Sequence, residues 1–176
     1  MMTLAEAAEI GSHDKYLAVV STLRADGTIQ SSVVNAGVLA DPQSGLQVAG
    51  FVTYGKAKLG HLRARPQVTV TFRAGWQWAT IEGTARIIGP DDPAPGVDAE
   101  RLRLLRREVF AAAGGTHEDW DEYDRVWSAN GAQPCSSRRP GCTATASRRT
   151  SAPGRQRGGV PPRRAWPLRC ARRRRP

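Results

Sequence analysis

The chain has 176 residues, with 26 lysine and arginine side chains against 16 aspartate and glutamate, a formal net charge of +10. That length suits one domain with its own core, and the charge average on its own points to a polyanion partner such as nucleic acid. The distribution excludes that reading for the body of the chain: thirteen of the basic residues are arginines between Trp127 and Pro176, a segment with no lysine and no acid, so the first 126 residues carry thirteen basic and sixteen acidic side chains, a net of −3.

In chain order, Leu4, Ala7, Ala8 and Ile10 give Thr3–Ile10 the spacing of a short amphipathic helix. "KYLAVVSTL" is a β-branched and aromatic run, "ADG" a turn, and "TIQSSVVNAGVLA" the returning strand of a hairpin. "LQVAGFVTY" predicts a third strand. "GKAKLGHLRARP" predicts a helix with Leu59 and Leu62 on its apolar side, stopped by Pro66. "QVTVTFR" alternates as a half-buried strand, and "WQWATIEGTARII" is a long fifth strand. A helix is expected from near Asp98 to Gly114–Gly115. A final short helical signal covers "THEDWDEYDRV", with Thr116 as its N-cap. The expected fold is therefore mainly β: a small antiparallel barrel with flanking helices. Five strands close a barrel poorly, so a sixth is expected after the last helix, where it is apparently missing.

From Trp127 the composition changes to Arg, Pro, Ala, Gly, Ser and Cys, and all three cysteines (Cys135, Cys142 and Cys170) lie here. None sits at zinc spacing, and the odd number argues against a disulfide framework. Arginine-rich tails do bind nucleic acid, with salt-sensitive affinity, but the absence of lysine and the residue set are those of GC-rich DNA translated out of frame. Codons for Cys135, Ser136 and Ser137, with TCN serines, read one base earlier as three consecutive apolar residues. Residues 1–126 are thus expected to form the domain. Residues 127–176 are expected to be a disordered tail, the product of a single-base frameshift near Val126–Trp127, with nucleic acid not a partner. No signal peptide and no apolar run near 18 residues is present in the sequence, so a cytoplasmic soluble protein is expected. His13, His61 and His117 are dispersed, and no metal site is expected. There is no G-x-G-x-x-G, Walker A or G-x-S-x-G motif.

The stretches "YLAVVSTLRADGTIQSSVV", "GKAKLGHLRARPQVTVTF", "GWQWATIEGTARI" and "HEDWDEYDRV" carry, by their order and spacing, a resemblance to the split β-barrel flavin and deazaflavin oxidoreductases of the pyridoxamine 5′-phosphate oxidase-like superfamily. The branch most resembled is the one that uses the deazaflavin coenzyme F420, and the resemblance covers about residues 5 to 126. It implies hydride transfer from the reduced deazaflavin to a small, often planar or unsaturated acceptor, at a site between the subunits of a homodimer. Lys56 and Lys58, at the start of a helix, match the family's phosphate-gripping pair; Arg63 and Arg65 follow in the same segment. An anionic arm needs charge-assisted donors and free amides at a helix start. Where relatives often carry a further arginine, this chain has Gly60. Ser32, Val33, Val34 and Asn35 lie on the strand that runs beside the ring in the family, and contact it in part through backbone. Trp76 and Trp78 flank the cleft or pack in the core or dimer interface. The resemblance assigns no catalytic side chain. The alternatives are an FMN-binding member of the superfamily, a pyridoxamine phosphate oxidase among them, and a non-enzymatic deazaflavin carrier.

Overall fold

The computed structural model describes residues 2–138 and the pair 145–146. Helix α1 spans Leu4–Ser12, and its N-cap Thr3 accepts from the Glu6 amide while the Glu6 carboxylate accepts from the Thr3 amide, a reciprocal capping box. Five strands follow the sequence expectation: β1 (Leu17–Leu23), β2 (Ile29–Ala40), β3 (Gln47–Thr53), β4 (Gln67–Ala74) and β5 (Gln77–Ile87). Helix α2 (Lys56–Ala64) sits between β3 and β4, and α3 (Ala99–Ala112) follows β5, with Asp98 as its N-cap. Helix α4 covers Trp120–Ala129. Its N-cap is Asp119, whose carboxylate accepts from the amides of Asp121 and Glu122, not Thr116. A carboxylate at a helix start adds a charge–dipole term that a threonine hydroxyl lacks.

The expectation of a missing last strand is corrected by the structure. Strand β6 (Gln133–Arg138) pairs antiparallel with β3 on one side and β5 on the other. The six strands close in the order β1-β2-β3-β6-β5-β4, with β4 returning to β1. A two-residue strand β7 (Thr145–Ala146) adds to β5 at Ala79 and Thr80. The physical reason is that a ladder needs main-chain donors and acceptors, and side-chain composition does not remove them. The ordered fold therefore continues twelve residues past the expected boundary at 126; the rest of the expected tail, apart from β7, lies outside the described residues.

The barrel interior holds Val20, Phe51, Val70, Phe72 and Ile81, with Ala7 and Ile10 contributed by α1 and Leu59 and Leu62 by α2. Strand β4 shows how the pattern is enforced: Val68, Val70 and Phe72 point inward and are buried, while their neighbours are not. A second cluster, Ile88, Leu102, Leu105 and Val109, packs α3 on the outside of the barrel against Leu39 and Val52. Helix α3 ends directly on β2, where a Cβ at Gly37 would lie 2.2 Å from the Ala112 carbonyl carbon. Only glycine permits that approach.

Strand β6 fits its backbone role better than its side-chain environment. Cys135 and Ser137 are buried, and the hydroxyls of Ser136 and Ser137 are buried without a hydrogen-bond partner. Pro134, paired to Val52, cannot donate to the ladder, although its carbonyl accepts from the Ile88 amide at 3.0 Å. Ser136 also lines a void of about 10 Å³ walled by Leu39, Val48, Ile88, Leu105 and Val109.

Candidate cofactor-binding site

Strand β2 is longer than its partner β3. Residues 36–40 pair with β3, whereas residues 29–35 pair only with β1 among the described strands. The barrel is therefore split beside Gln30–Asn35, and alternate residues present main-chain groups at an open edge. The split opens into a cavity of about 880 Å³. Its walls are β2 (Gln30, Ser32, Val33, Val34, Asn35), the β3–α2 connection (Val52, Thr53, Tyr54, Gly55, Ala57, Lys58), the end of α3 (Val109, Phe110, Ala113, Gly114, Gly115), Tyr123 and Trp127 of α4, and Ser12, Lys15 and Tyr16 after α1. That volume accommodates a flat polycyclic ligand with a polar arm.

At one wall α2 begins without a side-chain cap. Its N-cap is Gly55, and the first intrahelical bond recorded at this end runs from Leu59 N to Gly55 O at 3.0 Å. The amides of Lys56, Ala57 and Lys58 precede it and have no intrahelical acceptor, which makes the turn a ready anion site. Lys58 is only 9 % exposed, and its ammonium lies 5.4 Å from the centre of the Phe51 ring. It makes no hydrogen bond or ion pair with a described residue. Burial pushes its pKa below the ordinary lysine value of 10.5. Arginines elsewhere in the fold behave differently: Arg86 pairs with buried Asp41, and Arg103 and Arg107 share Asp124. None of the cavity-lining residues is acidic.

Of the residues expected at the site, the structure brings Ser32, Val33, Val34, Asn35 and Lys58 to the cavity. Lys56 is exposed on the first turn of α2 and is not among the lining residues. Arg63 is turned away. Its Nε donates to both carboxylate oxygens of Asp92 at 3.0 and 3.1 Å, its terminal nitrogen lies 2.6 Å from Asp92 Oδ2, and it also reaches Gln133 Oε1 at 3.4 Å. That bidentate pair ties α2 to the 88–92 connection and to β6, so the guanidinium is not available to a ligand in the cavity. Trp76 precedes β5 at the tip of the β4–β5 hairpin, 94 % exposed, and does not share the strand with Trp78. His61 does not line the cavity; its Nδ1 is 3.2 Å from Thr22 Oγ1. No metal-binding group of side chains exists among the described residues.

The sequence reading missed the far walls. Phe110, Tyr123 and Trp127 form a packed aromatic series, with ring centres 4.9 Å apart for Phe110–Tyr123 and 5.6 Å for Tyr123–Trp127, and Tyr54 lies 6.2 Å from Trp127. Tyr123 donates to the Arg106 carbonyl at 3.3 Å, and burial pushes its hydroxyl up to about 12, so it is a fixed wall and not an acid at neutral pH. The spacing of Trp120, Tyr123 and Trp127 at i, i+3 and i+7 was the available signal. Also missed was the turn at Lys15 and Tyr16, expected as strand. These residues have φ of 53° and 56°, the only non-glycine residues in the left-handed region among those described. Such a conformation costs roughly 1–3 kcal/mol per residue. It persists because Asn35 Nδ2 donates to Lys15 O at 2.9 Å, Tyr16 N to Gly11 O at 2.8 Å, and Ala36 N to Tyr16 O at 3.0 Å.

A sequence-family model described as "Pyridoxamine 5'-phosphate oxidase" matches residues 4–127. Among solved structures, a conserved hypothetical protein of Mycobacterium tuberculosis is 18 % identical, with a TM-score of 0.60, covering 90 % of this chain and 94 % of its own. A putative 5-nitroimidazole antibiotic resistance protein of Bacteroides thetaiotaomicron is 13 % identical, with a TM-score of 0.52 and coverage of 78 % and 82 %. A pyridoxamine 5'-phosphate oxidase-related, FMN binding protein of Nostoc punctiforme is 12 % identical, with a TM-score of 0.50 and coverage of 77 % and 78 %. At these identities the similarity is one of fold. No helix among the described residues is long and apolar enough to cross a membrane.

Proposed function

The chain belongs to the pyridoxamine 5′-phosphate oxidase family, and from that premise we propose that it is an oxidoreductase that binds the deazaflavin coenzyme F420 in the split between β2 and β3 and passes a hydride to a small organic acceptor. The single observation that carries this reading is Lys58: a buried lysine lining the cavity, beside uncapped helix amides, with its ammonium next to the Phe51 ring and no carboxylate bonded to it among the described residues. Burying a charge without a partner is costly, so the site fits an anion supplied by a ligand. The phosphate of a flavin-type coenzyme has the required charge and several acceptor oxygens. The open edge of β2 supplies main-chain donors and acceptors along Ser32–Asn35, which suits the heteroatom rim of a planar ring.

When bound, such a coenzyme supplies the hydride chemistry itself. The chain's part is to hold the phosphate at Lys58 and the amides of α2, orient the ring along β2, and exclude water with Phe110, Tyr123 and Trp127. FMN is the second reading, favoured by the fold shared with the Nostoc FMN-binding protein. A homodimer belongs to the same proposal. The outer face of β1 and β2 exposes Leu17, Val19, Ile29 and Val33, and Val19 and Val33 face one another across the ladder. A second copy covering that uncharged row also narrows the mouth of the cavity at Val33.

Absorbance titrations with F420 and with FMN test the reading, followed by rapid-mixing oxidation of the bound, reduced coenzyme by a panel of acceptors. Saturable binding of one coenzyme and acceptor-dependent oxidation support it; binding without turnover favours the carrier; no binding of either coenzyme refutes it.

The pH dependence has a defined sign. The fold disfavours the charged form of Lys58, and a bound phosphate favours it, so binding raises the lysine pKa and takes up a proton above the free-protein value. Affinity is therefore full while Lys58 is protonated and is lost as pH rises through its depressed pKa, beginning below 10.5. Dissociation constants measured from about pH 7 to pH 10 are expected to rise for the wild type and to stay level for Lys58→Met.

A further inference from the structure

The chain has three lysines among its 26 basic residues, and two of them, Lys15 and Lys58, line the cavity. On the reading above, Lys58 answers the phosphate. Lys15 remains: its ammonium makes no hydrogen bond or ion pair with a described residue, and no lining residue is acidic. It stands on the left-handed turn, which four neighbours hold in place: Asn35 through the Lys15 carbonyl, Gly11 and Ala36 through the Tyr16 backbone, and Gly114 under the Tyr16 ring. A Cβ at Gly114 would come within 2.6 Å of that ring. An unfavourable backbone conformation pinned so thoroughly at a cavity rim marks a position fixed for a purpose other than stability.

We infer that Lys15 is the second anion-binding point of the cavity and that it takes a carboxylate carried by a flat, conjugated ligand. The inference deepens the proposed function and rests on its placement of the phosphate at Lys58. Tyr54, Phe110, Tyr123 and Trp127 give the ligand an aromatic wall. A compact ammonium on a flexible stem suits a single carboxylate at the rim better than a forked guanidinium would. Asn35, expected from the sequence to touch the ring, acts through its side chain as a positioning residue for Lys15. The carboxylate has two possible sources, the acceptor itself or the glutamyl arm of the deazaflavin, and they share this chemistry.

The test uses the full chain and three variants, Lys15→Met, Asn35→Ala and Lys58→Met. Tryptophan fluorescence follows trans-cinnamate and cinnamamide in the presence of whichever of F420 and FMN saturates the protein, and absorbance follows F420 and FMN. If the acceptor supplies the carboxylate, the wild type binds cinnamate about fivefold more tightly than cinnamamide, and Lys15→Met binds them equally. If the coenzyme arm supplies it, Lys15→Met weakens F420 about fivefold and leaves FMN unchanged. In either case Asn35→Ala loses part of the same preference with the lysine still present. The inference is overturned if Lys15→Met alters neither preference, or weakens F420 and FMN alike. Lys58→Met keeps the two readings apart: it reports on the phosphate shared by both coenzymes, whereas Lys15→Met reports only on a carboxylate.

Discussion

Lys58→Met is expected to lower coenzyme affinity by about 10- to 100-fold while raising the melting temperature of the ligand-free protein. The two effects have one cause. Without ligand, Lys58 is 9 % exposed, its ammonium lies beside the Phe51 ring, and it has no carboxylate partner among the described residues, so the folded state bears the cost of a poorly solvated charge. Methionine keeps much of the length and apolar contact of the stem and removes that cost. With ligand, the same ammonium contributes charge-assisted hydrogen bonds, each worth about 1.5–3 kcal/mol, and their loss gives the fall in affinity. Opposite signs in the two measurements separate a ligand-binding lysine from a structural one: a structural lysine would lose stability on substitution. Lys56→Ala is the companion measurement. Its side chain is exposed and outside the cavity wall, so an effect no larger than about fivefold is expected. A binding assay on each single variant and thermal unfolding without ligand are sufficient. Unchanged affinity in Lys58→Met would remove the basis of the proposed function.

Replacing Ser136 and Ser137 together by valine is expected to stabilise the protein by about 2–4 kcal/mol, seen as a rise of several degrees in melting temperature. An orphaned buried hydroxyl costs about 1–3 kcal/mol, and both serine hydroxyls are buried without partners. At position 136 the valine methyls also replace polar surface beside the small void walled by Leu39, Ile88 and Leu105. Destabilisation by the double variant would show that the pocket around β6 is shaped for serine. This result bears on the origin of the segment. We propose that the codons after Val126 are read in a shifted frame. One base earlier, with TCN serine codons, positions 135, 136 and 137 all become apolar, and Pro134 becomes alanine or threonine, which restores a main-chain donor in a strand paired on both sides. Trp127 and Gln133 are nevertheless well accommodated, the first by Tyr54 and Tyr123, the second by Arg63 and Asp91. Among the described residues the misfit is thus confined to 134–137. Resequencing the gene is the direct test, and confirmed reads in the present frame would defeat the proposal.

Most of the barrel was legible because local rules and packing agree. The alternation in β4, Asp98 capping α3 and the paired glycines ending it each give one answer at both levels. Three failures have separate physical causes. Strand β6 was hidden because its side chains lack an apolar pattern, while the demand for it comes from the exposed main chains of β3 and β5, distant in sequence. Lys15 and Tyr16 were read as strand because a tyrosine beside an apolar run favours β; the left-handed turn is imposed by Asn35, 20 residues later. Arg63 was expected at the site as part of the basic segment that the resemblance marks, but neither the resemblance nor the segment reveals that Asp92, 29 residues on, claims its guanidinium. At the site itself, Ser32–Asn35 came from the family resemblance, and Lys58 from that resemblance together with a basic residue at a helix start; the structure places all five on the cavity wall. The aromatic wall was not, because it is assembled from the β3–α2 connection, α3 and α4.

The manner of closure also determines how the molecule fails. Since β6 is held by both β3 and β5, its departure would uncover two rows of unpaired amides and carbonyls at once. Its tether is short, only residues 130–132 after α4, yet a neighbouring copy can insert the same strand into the vacancy. If warming releases β6, the rate at which the folded monomer is lost is expected to climb with protein concentration, because strand exchange between molecules needs two of them.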